Sequence, residues 1–101
     1  MKFGLSDSTI TKMQHVFEKY PQIDKVIVYG SRAKGNFRPG SDIDLTLFGK
    51  YLTQQQCSEV AEKLDDLLLP YMIDLSVFDL LEHEDLKEHI LRVGKVFYQQ
   101  L

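Results

Sequence analysis

Asp42 and Asp44 stand two residues apart at the end of a small basic loop, and Asp74 stands alone in a later apolar run. Residues two apart in a strand share a face, so Asp42, Asp44 and Thr46 point one way and Ile43, Leu45 and Leu47 point to the core. At about 3.3 Å rise per residue the first two carboxylates are roughly 6.6 Å apart. The two ions of a phosphoryl-transfer site sit ~3.5–4 Å apart, so the pair can converge on one ion or bridge two. Oxygen-only ligands favour magnesium or manganese over zinc. Asp74 has the face alternation to complete the set from a neighbouring strand. Like charges at about 5 Å repel by on the order of 3 kcal/mol per pair at an effective dielectric near 20. A divalent cation removes that penalty. Taken alone, Asp-x-Asp also fits a turn cap at Asp42 followed by a solvent-facing strand residue.

The turn before the loop adds a second kind of chemistry. Glycine at Gly30 lets backbone approach a phosphate closely. Ser31 supplies a hydroxyl and an amide where a helical turn can begin, a place that favours anions. Arg32, Lys34 and Arg38 put three cations in the loop with no acid among them. They read either as triphosphate ligands or as a solvated basic loop. The turn is neither Gly-x-Gly-x-x-Gly nor the Gly-Lys-Ser/Thr form of a P-loop. His83-Glu84 opens like a zinc-protease helix, but Lys87 stands where the second histidine is required. His15, His83 and His89 therefore read as surface residues, and Cys57, on an apolar helical stripe, as core packing.

These residues must be held by a scaffold. Ile10, Met13, Phe17 and Tyr20 recur at helical spacing, so Ser6 to Tyr20 is expected as a helix, capped by Ser6 or Asp7 and stopped by Pro21. Lys25 to Tyr29 is a strand, Arg32 to Asn36 one or two helical turns, and Asp42 to Phe48 a second strand. Thr53 and Gln56 open another helix as a capping box. Its stripe runs Cys57, Val60, Ala61, Leu64, Leu67, Leu68, with Pro70 as the stop. Tyr71 to Phe78 is the third strand, Glu82 to Val93 the last helix with Gly94 at its end, and Val96 to Tyr98 a short final strand. The order α-β-α-β-α-β-α predicts an α+β fold: a small mixed sheet with helices packed on it and one partly open face carrying the aspartates.

Composition bounds the partners. The 101 residues, 44% hydrophobic, suit one domain spanning residues 1–101, with no room for a separate acceptor-binding core. A net charge of −3 offers no basic field for direct nucleic-acid binding. No apolar run approaches the roughly 20 residues of a membrane span. A single cysteine and a start without a signal-peptide core make a reducing, cytoplasmic address the expectation.

Gly30-Ser31, ten intervening residues, then Asp42-Ile43-Asp44 resembles the Gly-Ser-x10-Asp-x-Asp signature of minimal nucleotidyltransferases, members of the DNA polymerase β superfamily. Asp74, within Ile73-Asp74-Leu75, matches that family's third carboxylate, and Arg92 to Tyr98 is similar as well. The resemblance implies transfer of AMP from ATP to a hydroxyl with release of pyrophosphate. It assigns Gly30 and Ser31 to the triphosphate, with Arg32, Lys34 and Arg38 as further phosphate candidates. It assigns Asp42 and Asp44 to Mg2+, and Asp74 to a second Mg2+ and to the acceptor's proton. Proteins of this size in the family pair with a helical HEPN-type toxin, an RNase. They act as its antitoxin by placing AMP on a tyrosine, so a hetero-oligomer is implied. A contact-only antitoxin with a vestigial site, and a transferase with a small-molecule acceptor, are the alternatives.

Overall fold

The computed structural model describes residues 1–101. Helix α1 spans Asp7–Glu18, β1 Lys25–Tyr29, α2 Ser31–Lys34, β2 Ile43–Phe48, α3 Gln54–Asp65, β3 Ile73–Val77, α4 Glu84–Val93 and β4 Lys95–Gln99. A 3-10 turn, Phe78–Leu80, joins β3 to the approach of α4. The sheet order is β3-β2-β1-β4. The chain reverses twice around β1, which pairs antiparallel with both β2 and β4. By contrast β2 and β3 run parallel, with α3 as the crossover that a parallel pair requires. The sheet is therefore mixed and the class α+β, as the element order predicts.

Alternation along the strands sorts the two faces. Val26, Val28, Ile43, Leu45, Leu47 and Val77 are buried under α1 and α3, whose apolar stripes supply Met13, Val16, Phe17, Cys57, Val60 and Leu64. The opposite face holds a smaller cluster, Ile27, Tyr29 and Ile90, with Phe48, Phe78 and Leu86 packed against it. Helix α4 thus covers the β1 part of that face. The chemically interesting side chains of β2 and β3 share the same face.

The caps match their sequence signals. Ser6 caps α1 through its hydroxyl, which accepts from the Thr9 amide. Thr53 and Gln56 form a full capping box on α3. Three expectations need correction. Helix α3 ends at Asp65, not at Pro70, because Leu68 takes a left-handed conformation (φ 56°) and turns the chain. Leu68 is therefore exposed rather than part of the stripe. Helix α4 begins at Glu84 rather than Glu82, because His83, exposed as expected, is its N-cap, with Nδ1 accepting from the Leu86 amide at 3.2 Å. Asp42 sits one residue ahead of β2 instead of inside it.

Thr53→Ala removes the side-chain half of the capping box. It should cost about 1 kcal/mol of stability, read as a lower urea midpoint at unchanged slope.

Candidate active site

Three turns meet at one end of the sheet: the exit of β1, the entry of β2 and the entry of β3. The parallel register of β2 and β3 places Asp44 directly opposite Asp74. The antiparallel register of β1 and β2 places Tyr29 opposite Asp44. Neighbouring strands lie about 4.8 Å apart, so all three side chains rise from one small patch. Below them Ser76 donates to the Thr46 hydroxyl at 2.9 Å, fastening the same parallel pair one step further along.

Gly30 explains how Asp44 fits. Its backbone adopts φ 74°, ψ −153°, a region open essentially only to glycine. A Cβ added there would collide with Oδ2 of Asp44. The missing side chain is thus the space that the carboxylate occupies, against the start of α2. Ser31 follows as the first residue of α2, where helix amides have no partner within the helix. The loop beyond α2 is knitted by Ser41, whose hydroxyl accepts from the Arg38 amide at 2.8 Å.

Electrostatics marks the patch as crowded with negative charge. Burial raises the Asp44 carboxyl above its usual range, and the charges of Asp74 and Asp42 raise it further. Burial, then Asp74 and Asp44, push the Tyr29 phenol up to about 12, against a smaller opposing effect of the Ser76 hydroxyl. Tyr29 therefore stays protonated at neutral pH. No lysine or arginine pairs with the aspartates: the ion pairs of the chain are the amino terminus with Asp7, and Arg92 with Glu88. Asp42 and Asp74 are exposed and Asp44 half-buried. No three His, Cys, Asp or Glu side chains are drawn together closely enough to cage an ion unaided. An all-oxygen set with surplus negative charge nevertheless has the chemistry of a site for a hard divalent cation. Asp42, Asp44 and Asp74 are the residues that could hold it.

The basic residues separate. Lys34 and Arg38 are exposed and unpaired beside the loop. Arg32, expected among the phosphate-binding cations, is buried with 2% exposure, and its guanidinium is taken up by backbone carbonyls. Sequence reasoning also missed His89. Instead of lying on the surface it is half-buried, its ring edge-on to Tyr29 at 6.5 Å between centroids. The signal available was alternation, which puts Tyr29 on the aspartate face once β1 and β2 are paired. Cys57 is buried and its thiol is raised by that burial, then by Asp74, as fits a packing residue. A surface hollow of about 420 Å³ lies between Pro21, Gln22, Asp24, Lys50 and Tyr51, at the opposite ends of β1 and β2 from this patch.

The family description "Polymerase beta, Nucleotidyltransferase" matches residues 11–100. The chain belongs to the polymerase beta nucleotidyltransferase family. No curated protein matches it. Among solved structures, a chain of a toxin–antitoxin crystallised with AMP-PNP superposes with TM-score 0.72 at 23% identity, over 95% of this chain and 75% of that one. A chain of the MntA–HepT toxin–antitoxin gives TM-score 0.69 at 18% identity, over 94% and 74%. A chain of the complex of tri-AMPylated Shewanella oneidensis HEPN toxin with MNT antitoxin gives 0.70 at 18% identity, over 95% and 74%. This polymerase beta-type nucleotidyltransferase thus shares its fold with the minimal nucleotidyltransferases of toxin–antitoxin pairs.

Two outcomes follow from this geometry. Gly30→Ala should lose about 1–3 kcal/mol to its backbone conformation and more to the collision with Asp44. Removing the carboxylate in Gly30→Ala/Asp44→Ala should restore only the collision part, read from denaturant midpoints. The raised Asp44 carboxyl means the metal-free folded chain holds that proton more tightly than the unfolded one. Its contribution to stability falls as pH climbs from the ordinary carboxylate value through the raised one. Without metal, Asp44→Asn should therefore melt at or above the wild-type temperature at neutral pH, with the advantage fading in acid.

Proposed function

We propose that this chain transfers AMP from ATP to a tyrosine hydroxyl of a HEPN-type RNase toxin and so serves as its antitoxin. The observation that carries the reading is the register pairing of Asp44 with Asp74 beside a glycine that makes room for a carboxylate, with neither aspartate in an ion pair. The family supports the reaction type. The neighbours with bound AMP-PNP and with an AMPylated toxin support the nucleotide and the acceptor.

In this reading Gly30 and the first amides of α2 receive the triphosphate, with the Ser31 hydroxyl beside them. Lys34 and Arg38, both exposed, are the cations that would meet its outer phosphates. Asp42 and Asp44 would hold one Mg2+, and Asp74 a second. The ions supply charge neutralisation and alignment of the phosphates. The acceptor oxygen bonds to the α-phosphorus, the bond from that phosphorus to the bridging oxygen of the β-phosphate breaks, and pyrophosphate leaves. The acceptor proton passes to the Asp74 carboxylate, which is exposed to the incoming hydroxyl. The open half of the sheet face, beyond the reach of α4, is where a protein acceptor can present its tyrosine. The lone buried cysteine suits a reducing compartment such as the cytoplasm.

Incubation with labelled ATP, Mg2+ and the product of the adjacent gene tests the proposal. Label should reach the partner with the wild type. Asp42→Asn/Asp44→Asn should abolish both labelling and neutralisation. Neutralisation that survives this double substitution would instead mean inhibition by contact, and label on a small hydroxylated acceptor without any partner would mean a different substrate class. Mg2+ at about a hundred times its dissociation constant should stabilise wild type by about 2.7 kcal/mol, and Asp44→Asn much less.

A further inference from the structure

Arg32 is the largest fully buried side chain of the chain, and it has no carboxylate partner. Its Nε donates to the Ser41 carbonyl at 3.1 Å, and Nη2 donates to the same carbonyl at 2.8 Å and to that of Pro39 at 3.2 Å. Its Nη1 donates to the Phe3 carbonyl at 2.8 Å. The Phe37 and Tyr71 rings lie 5.2 and 4.9 Å from the guanidinium carbon. Burying a charge without a counter-charge costs more than an apolar plug of the same volume would. What an apolar plug cannot do is fix carbonyls from separate segments to one rigid planar fork.

The segments so fixed are the ones that deliver the site. Ser41 immediately precedes Asp42, and Arg32 itself follows Ser31. Tyr71 leads into β3 and Asp74, and the next residue, Met72, accepts at 2.9 Å from the amide of Ile43, which lies between Asp42 and Asp44. Phe3 sits at a positive φ of 56° in an N-terminal turn that places its carbonyl on the guanidinium. We infer that Arg32 is a positioning residue: its guanidinium sets where Asp42 and Asp74 stand relative to Asp44, and so tunes cation affinity, without touching the nucleotide. This rests on the metal-site reading above and goes beyond it by assigning the buried charge a role. Arg32 is the one loop cation that cannot reach a phosphate, yet it touches segments that carry two of the three carboxylates.

Mn2+ alone, added to the full chain and followed by the electron paramagnetic resonance of the free ion, tests the inference. A lysine at this position keeps the charge but loses the fork. Arg32→Lys that melts cooperatively should bind Mn2+ about tenfold more weakly, the loss typical when a group supporting a ligand is removed. AMP-PNP affinity in EDTA should be unchanged. In Arg32→Lys/Asp42→Asn the two losses should be less than additive, because the arginine acts in part through Asp42. If Arg32→Lys does not fold, Tyr71→Leu decides: it removes one stacked ring, leaves the hydrogen bonds, and should weaken Mn2+ by a smaller factor. Wild-type Mn2+ affinity in a folded Arg32→Lys or in Tyr71→Leu, additive losses with Asp42→Asn, or weaker AMP-PNP binding in EDTA would each overturn the positioning role. A wild type that takes up no Mn2+ would overturn the metal site and this inference with it, whereas the other failures leave the site standing.

Discussion

Two carboxylates face each other across a parallel strand pair, and the chain provides no cation to separate them. In water such a pair would be a minor cost. Half-buried against a glycine turn it is a larger one: burial raises the Asp44 carboxyl, and the charges of Asp74 and Asp42 raise it further. The register cannot slip to relieve it, because a one-residue shift would turn Ile43, Leu45 and Leu47 out of the core. The hydrophobic effect therefore holds the two carboxylates in place.

The rest of the architecture follows from keeping that patch rigid below and open above. Helices α1 and α3 cover one face of the sheet, burying its β1 and β2 side chains. Helix α4 covers the other face only around Ile27 and Tyr29. The crossover through α3 is what makes β2 and β3 parallel, and only a parallel pair brings both strand entries, and with them Asp44 and Asp74, to the same end. Gly30 and Arg32 complete the arrangement from the loop side. One gives space to a carboxylate, and the other ties down the chain leading to its neighbour.

Local chemistry was readable from the sequence and tertiary chemistry was not. Asp42, Asp44 and the Gly30-Ser31 turn declared themselves through spacing within one short stretch. Strand alternation gives Asp74 its face, but only the pairing of β3 with β2 brings it opposite Asp44. The caps of α1 and α3 were likewise legible because a cap is a contact across three residues. Arg32 was misread because residue type alone assigns arginine to the surface, and nothing local says that three carbonyls and two rings will close around it. Leu68 fitted a helical stripe on paper, but the chain had already left the helix. Tyr29 and His89 joined the site only through the pairing of β1 with β2 and the docking of α4, both long-range events.

Asp44 and Asp74 are held opposite each other by strand register, a repulsion that a divalent cation would relieve. Carbon-detected NMR titration of the Asp44 carboxyl measures it directly. The account predicts a midpoint above the ordinary aspartate range in metal-free protein, a clear fall in Asp74→Asn, and a clear fall with Mg2+. An Asp44 that titrates as an ordinary surface aspartate, indifferent to Asp74 and to Mg2+, would contradict it.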